Sequence, residues 1–388
     1  MNQLHRKILA KIIDLYNVEH STRLPTLMDI TDLILIVGSS RSGTTLIHHL
    51  LSQHPEINSL PGEDSSYVKL FTGFQVDNFN FNDQINGLED QFNNAILLLL
   101  NDIGNNSKGP PSSLETLKRF SFQHPEIFLN YSNDELLKIL EEEINYTDFL
   151  KKFNILNNLY ENNTVLHAEF NPKFLIEDPP FINPSKRTYQ KQERNILLLK
   201  ASSNVYRLKM FEKLFSHTKI HYIYANRSPE ESINGLYDGW QSNAFHSYKI
   251  QNTTLKIKDY SDNNWWKFDL PPNWEQYTQS PLAEVCRFQW ESANLEILKH
   301  IAKKRFYTIK YHDLFDSNSL YKKLNLIMKH LNINSFNKIQ EKVPQVMTTF
   351  PPSKDRWLKR SNLILEATNK SNIQDLKNHI MELPFENN

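Results

Sequence analysis

Apolar residues in this chain gather into a few short unbroken runs, and their spacing sets the expected fold. Leu33 to Val37 reads Leu-Ile-Leu-Ile-Val, apolar at every position, the pattern of a strand buried on both faces and therefore of a parallel sheet. A helix is predicted to follow at once over Thr44 to Gln53, where Leu46, Ile47, Leu50 and Leu51 share one face and His54-Pro55 ends the turn. A short strand is expected near Ile57 to Leu60, and further buried strands at Ile196 to Leu199, Ile220 to Tyr224 and Phe306 to Ile309, with helical periodicity between the later ones. This alternation predicts an α/β domain with a parallel sheet flanked by helices. Residues 75–160 differ in character: they are Asn-rich and lack strand signals, with an acidic helix near Asn133 to Ile144. They are expected to form a helical insertion covering a site. The expected layout is an N-terminal helix and linker over 1–30, the main domain over 31–365, and a C-terminal helix or tail over 366–388.

Composition narrows the classes of function. Hydrophobic residues make up 39% and charged residues 23% of the 388, values of an ordinary globular protein. Forty-four basic residues balance forty-four acidic ones, so no global field draws the protein to nucleic acid, and any anion site must be built locally. The longest strongly apolar run, Ala95 to Leu100, has six residues, against the roughly 20 that span a bilayer. The single cysteine, Cys286, forms no internal disulfide, which fits a reducing compartment. With no signal-peptide pattern in the amphipathic N-terminal stretch, cytoplasmic residence is expected.

Glycine is scarce, nine in all, and five of the nine fall at 38–43, 62 and 235–239. Gly38-Ser-Ser-Arg41-Ser42-Gly43-Thr44-Thr45 has the spacing of a Walker A phosphate loop between a strand and a helix, except that Thr44 stands where that motif needs lysine. A glycine-rich turn entering a helix directs backbone N–H groups and the positive end of the helix dipole at one point, so an anion belongs there. Thr44 and Thr45 add hydroxyl donors, and Arg41 offers a fixed charge with forked donors in place of the lysine. A second candidate follows the strand at Ile220 to Tyr224. Ser228 is a good helix N-cap, Pro229 suits the first helical position and Glu231 completes a Ser-x-x-Glu box. Arg227 therefore lies at a strand's carboxyl end beside a helix start, the edge where open α/β sheets bind ligands. Lys200 closes the run Ile196 to Leu199, where an ammonium must find an anion or bear a desolvation cost.

These residues resemble a known family. The stretch from Leu33 through Arg41-Ser-Gly-Thr-Thr45 to Ile47 looks like the 5′-phosphosulfate loop of sulfotransferases that use 3′-phosphoadenosine 5′-phosphosulfate (PAPS), closest to tyrosylprotein sulfotransferases and bacterial sulfotransferase-like proteins. The similarity extends with decreasing strength from about Leu33 to Trp357. It implies a P-loop-type sheet, PAPS as co-substrate without a metal, and a hydroxyl acceptor on a small molecule, glycan, lipid or peptide.

The resemblance also implies roles. Arg41, Ser42, Gly43, Thr44 and Thr45 would hold the 5′-phosphosulfate, and Arg227 the 3′-phosphate. A serine usual eight residues after that arginine is replaced by Gly235, and Ser232, one helical turn earlier, could substitute. Lys354 and Arg356, beside Trp357, would close over the nucleotide. Lys200 would face the bridging oxygen of the donor. Glu63, in Pro61-Gly62-Glu63-Asp64, stands where the tyrosylprotein enzymes carry a general base, with Asp64 as its nearest rival. Small-molecule sulfotransferases place a catalytic histidine two residues beyond the lysine, and this chain has Ser202 there, which strengthens Glu63. Two alternatives stay open: an ATP-dependent kinase on the same fold, opposed by Thr44 and by the lack of a convincing magnesium carboxylate, and a non-catalytic protein that keeps the nucleotide pocket, which Gly235 favours. His217 and His221 lie four apart at a strand entrance, where that spacing does not bring side chains together. The clustered Trp240, Trp265, Trp266 and Trp274 are expected in the core more than in an acceptor wall.

Overall fold

The computed structural model describes residues 30–60, 63–64, 129–141, 195–242, 247–250, 253–336 and 355–387, together with residues 7, 11, 343 and 353. All of the expected N-terminal helix but residues 7 and 11, and most of the 75–160 insertion, lie outside these residues. Within that insertion the acidic helix is present, over Asn133–Glu141.

The sheet is built on β1 (Asp32–Val37), whose six residues are all buried. Each large aliphatic side chain sealed there stabilises the fold by about 1.5–3 kcal/mol. In order along the sheet, β2 (Ile57–Ser59), β3 (Ile196–Lys200), β1, β4 (Lys219–Asn226) and β7 (Phe306–Lys310) run parallel, and β8 (Glu386–Asn387) adds an antiparallel edge. Leu33 pairs with Leu197 on one side and Ile220 on the other. The α/β architecture is therefore that expected, with β4 extending two residues past the apolar run and ending at the proposed phosphate edge. A separate hairpin, β5 (Ser247–Lys249) with β6 (Trp265–Lys267), lies between two helices.

Among the described residues one apolar core packs on the sheet and another joins the helices and the hairpin. On one face Ile34 and Ile36 of β1 meet Ile47, Leu50 and Leu51 of α1 (Thr44–Leu51), together with Leu324 and Ile327 of a later helix, Ser317–His330. The other core joins Ile233, Leu236 and Trp240 of Pro229–Trp240, the helix after Arg227, to Trp266, Trp290, Ile364 and Ile380. Trp240 and Trp266 pack edge to face with ring centroids 5.1 Å apart, and Trp274 packs on Trp266 at 5.4 Å, so these three belong to core packing, while Trp265 is half-buried. The boundary expected near 365 falls inside the helix Ser361–Thr368. Beyond it a further helix, Ser371–Glu382, leads into β8, so the expected tail completes the sheet.

Candidate active site

The carboxyl ends of β3, β1 and β4, adjacent strands, present Lys200, the loop from Gly38 and Arg227 along one edge. The loop packs tightly. A Cβ at Gly38 would come within 2.8 Å of the Ala225 carbonyl oxygen and 2.6 Å of Ser42 Oγ. Gly43 has φ 96° and caps α1, and a Cβ there would run into Leu314 Cδ1. Both positions therefore exclude any side chain. Arg41 is left-handed, with φ 69°. Ser42 is buried, and its hydroxyl has no hydrogen-bond partner among the described residues.

Three predicted residues meet at one point. Lys200 Nζ donates to Thr45 Oγ1 at 2.9 Å and forms an ion pair with Glu63 Oε1. Both partners are nearly enclosed, the lysine side chain 4% and the glutamate 13% exposed. Asp64, the rival carboxylate, faces another way. Asn204 Nδ2 donates to both of its oxygens, at 3.0 and 2.9 Å, and the Asp64 N–H donates to the Lys200 carbonyl at 3.4 Å. Burial pushes its pKa up to about 7, with the Glu63 charge adding to the rise and the Asn204 bonds and Lys200 opposing it.

Arg227 is buried at the β4 edge and lies flat on Tyr311, its Cζ 3.5 Å from the ring centroid. Its Nη1 donates to the Arg41 carbonyl at 2.6 Å, tying the second cation to the glycine loop. Burial lowers its pKa, but a guanidinium stays charged at neutral pH. The expected cap is present, since the Glu231 N–H donates to Ser228 Oγ at 3.3 Å. The Glu231 carboxylate accepts from the Ser228 hydroxyl at 3.2 Å rather than from its backbone. Gly235 is where the two cations converge: a Cβ there would lie 3.1 Å from Arg227 Nη1 and 3.3 Å from Arg41 Cβ. The absent serine thus leaves room for Arg227 to reach the loop. Ser232 is fully buried, and neither its hydroxyl nor Arg227 Nε has a hydrogen-bond partner among the described residues. Buried donors of this kind are costly unless a ligand or water completes them.

Arg356 forms an ion pair with the buried Asp238, which also holds Lys359 at 3.2 Å and Arg360 at 2.7 Å. Its charge is near enough to depress the Arg227 pKa. Lys354 lies outside the described residues. His48, which with His49 reads from sequence as helix surface and lid contact, is 2% exposed. His221 pairs with Asp32 at 2.8 Å, away from His217. Among the described residues no group of three or more His, Cys, Asp or Glu could hold a metal, and no helix is long and apolar enough to cross a membrane. Sequence reasoning missed Asn204 and Tyr311 as parts of this site. Tyr311 was accessible in principle, since it lies two residues beyond the strand predicted at Phe306 to Ile309, which ends on the same edge.

A glycine-spaced loop at the carboxyl edge of a parallel sheet, with a lysine, two arginines and a carboxylate around it, is an arrangement suited to an anionic ligand. The sulfotransferase family profile matches residues 33–335, and the chain belongs to that family. No curated protein matches it. Among solved structures it is similar to the sulfotransferase domain of the Synechococcus PCC 7002 olefin synthase, at 14% identity and TM-score 0.41 over 94% of this chain and 100% of that one. It is also similar to the sulfotransferase domain of the curacin biosynthetic pathway, at 15% identity and TM-score 0.38 over 92% and 99% of the two chains. A third similar structure is sulfotransferase STF1 from Mycobacterium tuberculosis, at 13% identity and TM-score 0.34 over 86% and 84%.

Proposed function

We propose that the protein transfers a sulfuryl group from PAPS to a hydroxyl acceptor, with Glu63 as general base. The observation that carries this reading is the convergence of Glu63, Lys200 and Thr45 through one ammonium. The orphaned donors Ser42 Oγ, Arg227 Nε and Ser232 Oγ, with the side-chain-free cradle at Gly38 and Gly43, fit a ligand carrying a phosphate at each end of its ribose. The bound donor supplies an activated sulfuryl group on a phosphate leaving group.

The remaining work falls to this chain's own residues. The loop from Gly38 to Thr45, with Arg41, holds the 5′ end through N–H groups and the helix dipole. Arg227 and Ser232 hold the 3′-phosphate, and Arg356 adds positive field beside them. An ammonium has three donors; two go to Thr45 and Glu63, and the third can face the leaving oxygen as charge develops there. The Glu63 carboxylate, paired with Lys200, accepts the acceptor's hydroxyl proton.

Ligand-induced stabilisation tests the reading against a kinase. Binding only to the folded state stabilises it by about 2.7 kcal/mol at a hundredfold excess over Kd. Adenosine 3′,5′-bisphosphate in EDTA is expected to raise Tm clearly, and ATP with magnesium to do little. The reverse ranking refutes the proposal.

A further inference from the structure

A carboxylate that no motif announces is built into the phosphate loop from outside. Asp269 follows β6 and is 1% exposed. Ser40 Oγ, in the loop, donates to its Oδ1 at 2.8 Å, and Tyr206 OH to its Oδ2 at 2.7 Å. Its backbone carbonyl accepts from Trp266 Nε1 at 2.9 Å and from Gln289 Nε2 at 2.8 Å, while Gln289 Oε1 accepts from Trp240 Nε1 at 2.9 Å. The hairpin excursion between the helices Pro229–Trp240 and Leu282–Ile301 thus returns one buried charge to the loop, held by core residues.

Backbone strain marks the same bond. Among the described residues the left-handed non-glycine positions are Arg41, Asp259, Phe268, Asn273 and Asn332. Asn and Asp tolerate that region through their short polar side chains, whereas Arg and Phe do not. Arg41 (φ 69°) directly follows Ser40, and Phe268 (φ 65°) directly precedes Asp269. The two unfavourable residues therefore flank the two ends of one buried, charge-assisted hydrogen bond, and strain of this kind persists only where its surroundings over-determine it. Arg41 in turn presents its carbonyl to Arg227 Nη1 at 2.6 Å.

We propose that Asp269 is a positioning residue for donor binding: its bond to Ser40 latches Arg41 in the left-handed conformation that aligns the loop and joins it to Arg227. This rests on the reading of the loop as the site of the donor's 5′-phosphosulfate. The latch makes a prediction opposite in sign to simple electrostatics. A negative charge against an anion site repels the ligand, so Asp269→Asn would tighten binding if field alone mattered. The latch requires that the same change weaken it.

The test uses the full chain. Calorimetric titration of adenosine 3′,5′-bisphosphate and adenosine 5′-phosphosulfate is expected to show both ligands weakened at least about tenfold by Asp269→Asn and by Ser40→Ala. The double variant should be no more than about threefold worse than the poorer single one, because the residues act as a unit. Tyr206→Phe, which leaves the Ser40 bond intact, should change either affinity less than about threefold. Without ligand, hydrogen exchange of the Arg41 to Thr45 amides should quicken at least about tenfold in the Ser40 and Asp269 variants and not in Tyr206→Phe. Unchanged or tighter binding, additive losses, or unchanged loop exchange overturns the latch. Should Asp269→Asn fail to fold, Ser40→Ala alone decides, since normal binding and exchange there refute it. If the wild type binds neither nucleotide, the donor reading fails, and the exchange comparison still judges the latch.

Discussion

Asp64 is a carboxyl group placed where ionisation is expensive, and its removal should change how stability responds to pH. The side chain is fully enclosed, 1% exposed as a residue, and burial raises its pKa to about 7 from the usual 3.8. In the unfolded chain it ionises near 3.8, so across the interval between the two values the folded state holds a proton that the unfolded state has lost. Stability from this group is complete below about pH 4 and is lost as pH rises through 7. Linkage for one site with these two pKa values gives a loss of roughly 2–3 kcal/mol between about pH 5 and pH 7.5. Asp64→Asn keeps the shape and cannot ionise, and a flip of the Asn204 amide preserves a hydrogen bond between them. Urea unfolding of both proteins at about pH 5 and pH 7.5 brings out the effect, because titrating groups that do not interact with Asp64 cancel in the difference. The wild type should lose roughly 2–3 kcal/mol relative to the variant over that interval. Parallel stabilities, within about 0.5 kcal/mol, would show that Asp64 is not held neutral by its burial and would remove the account of its environment given above.

Glu63→Gln retains size and loses the proton acceptor, so turnover should fall at least about 100-fold with little change in nucleotide affinity; near-normal turnover in a steady-state sulfuryl-transfer assay removes Glu63 from the chemistry. Arg227→Ala should weaken adenosine 3′,5′-bisphosphate by about 2 kcal/mol or more while adenosine 5′-phosphosulfate, which lacks the 3′-phosphate, changes far less. Equal losses by calorimetry would assign Arg227 to holding the loop through Arg41.

The strands legible in the sequence were those whose burial is two-sided. Leu33 to Val37 and Ile196 to Leu199 are apolar at every position, and the structure places both in the middle of the sheet. β8 was not legible, because Glu386-Asn387 is a polar pair whose role comes from its partner, Tyr307 pairing with Glu386. At the site, Arg41, Lys200 and Arg227 could be read because each sits directly beyond an apolar run or in a glycine-spaced loop. Asn204, Asp269 and Tyr206 could not. Their importance comes from what folding brings near them, Asp64 beside Asn204, Ser40 beside Asp269 and Asp269 beside Tyr206, across 140, 229 and 63 positions of chain. The family resemblance named roles for the first group and was silent on the second.

The strand order carries a consequence for how the molecule comes to exist. β1 occupies the centre of the sheet, between β3 and β4, yet Ile196, its first neighbour in chain order, lies roughly 160 positions downstream. At synthesis rates of 5–20 residues per second, Leu-Ile-Leu-Ile-Val waits roughly 8–30 s before either flanking strand exists. During that interval an uncharged, β-prone segment with both ladders open is a target for pairing with other chains. Yield in a cell should therefore depend on holdase chaperones and on growth temperature more than on the equilibrium stability of the finished fold.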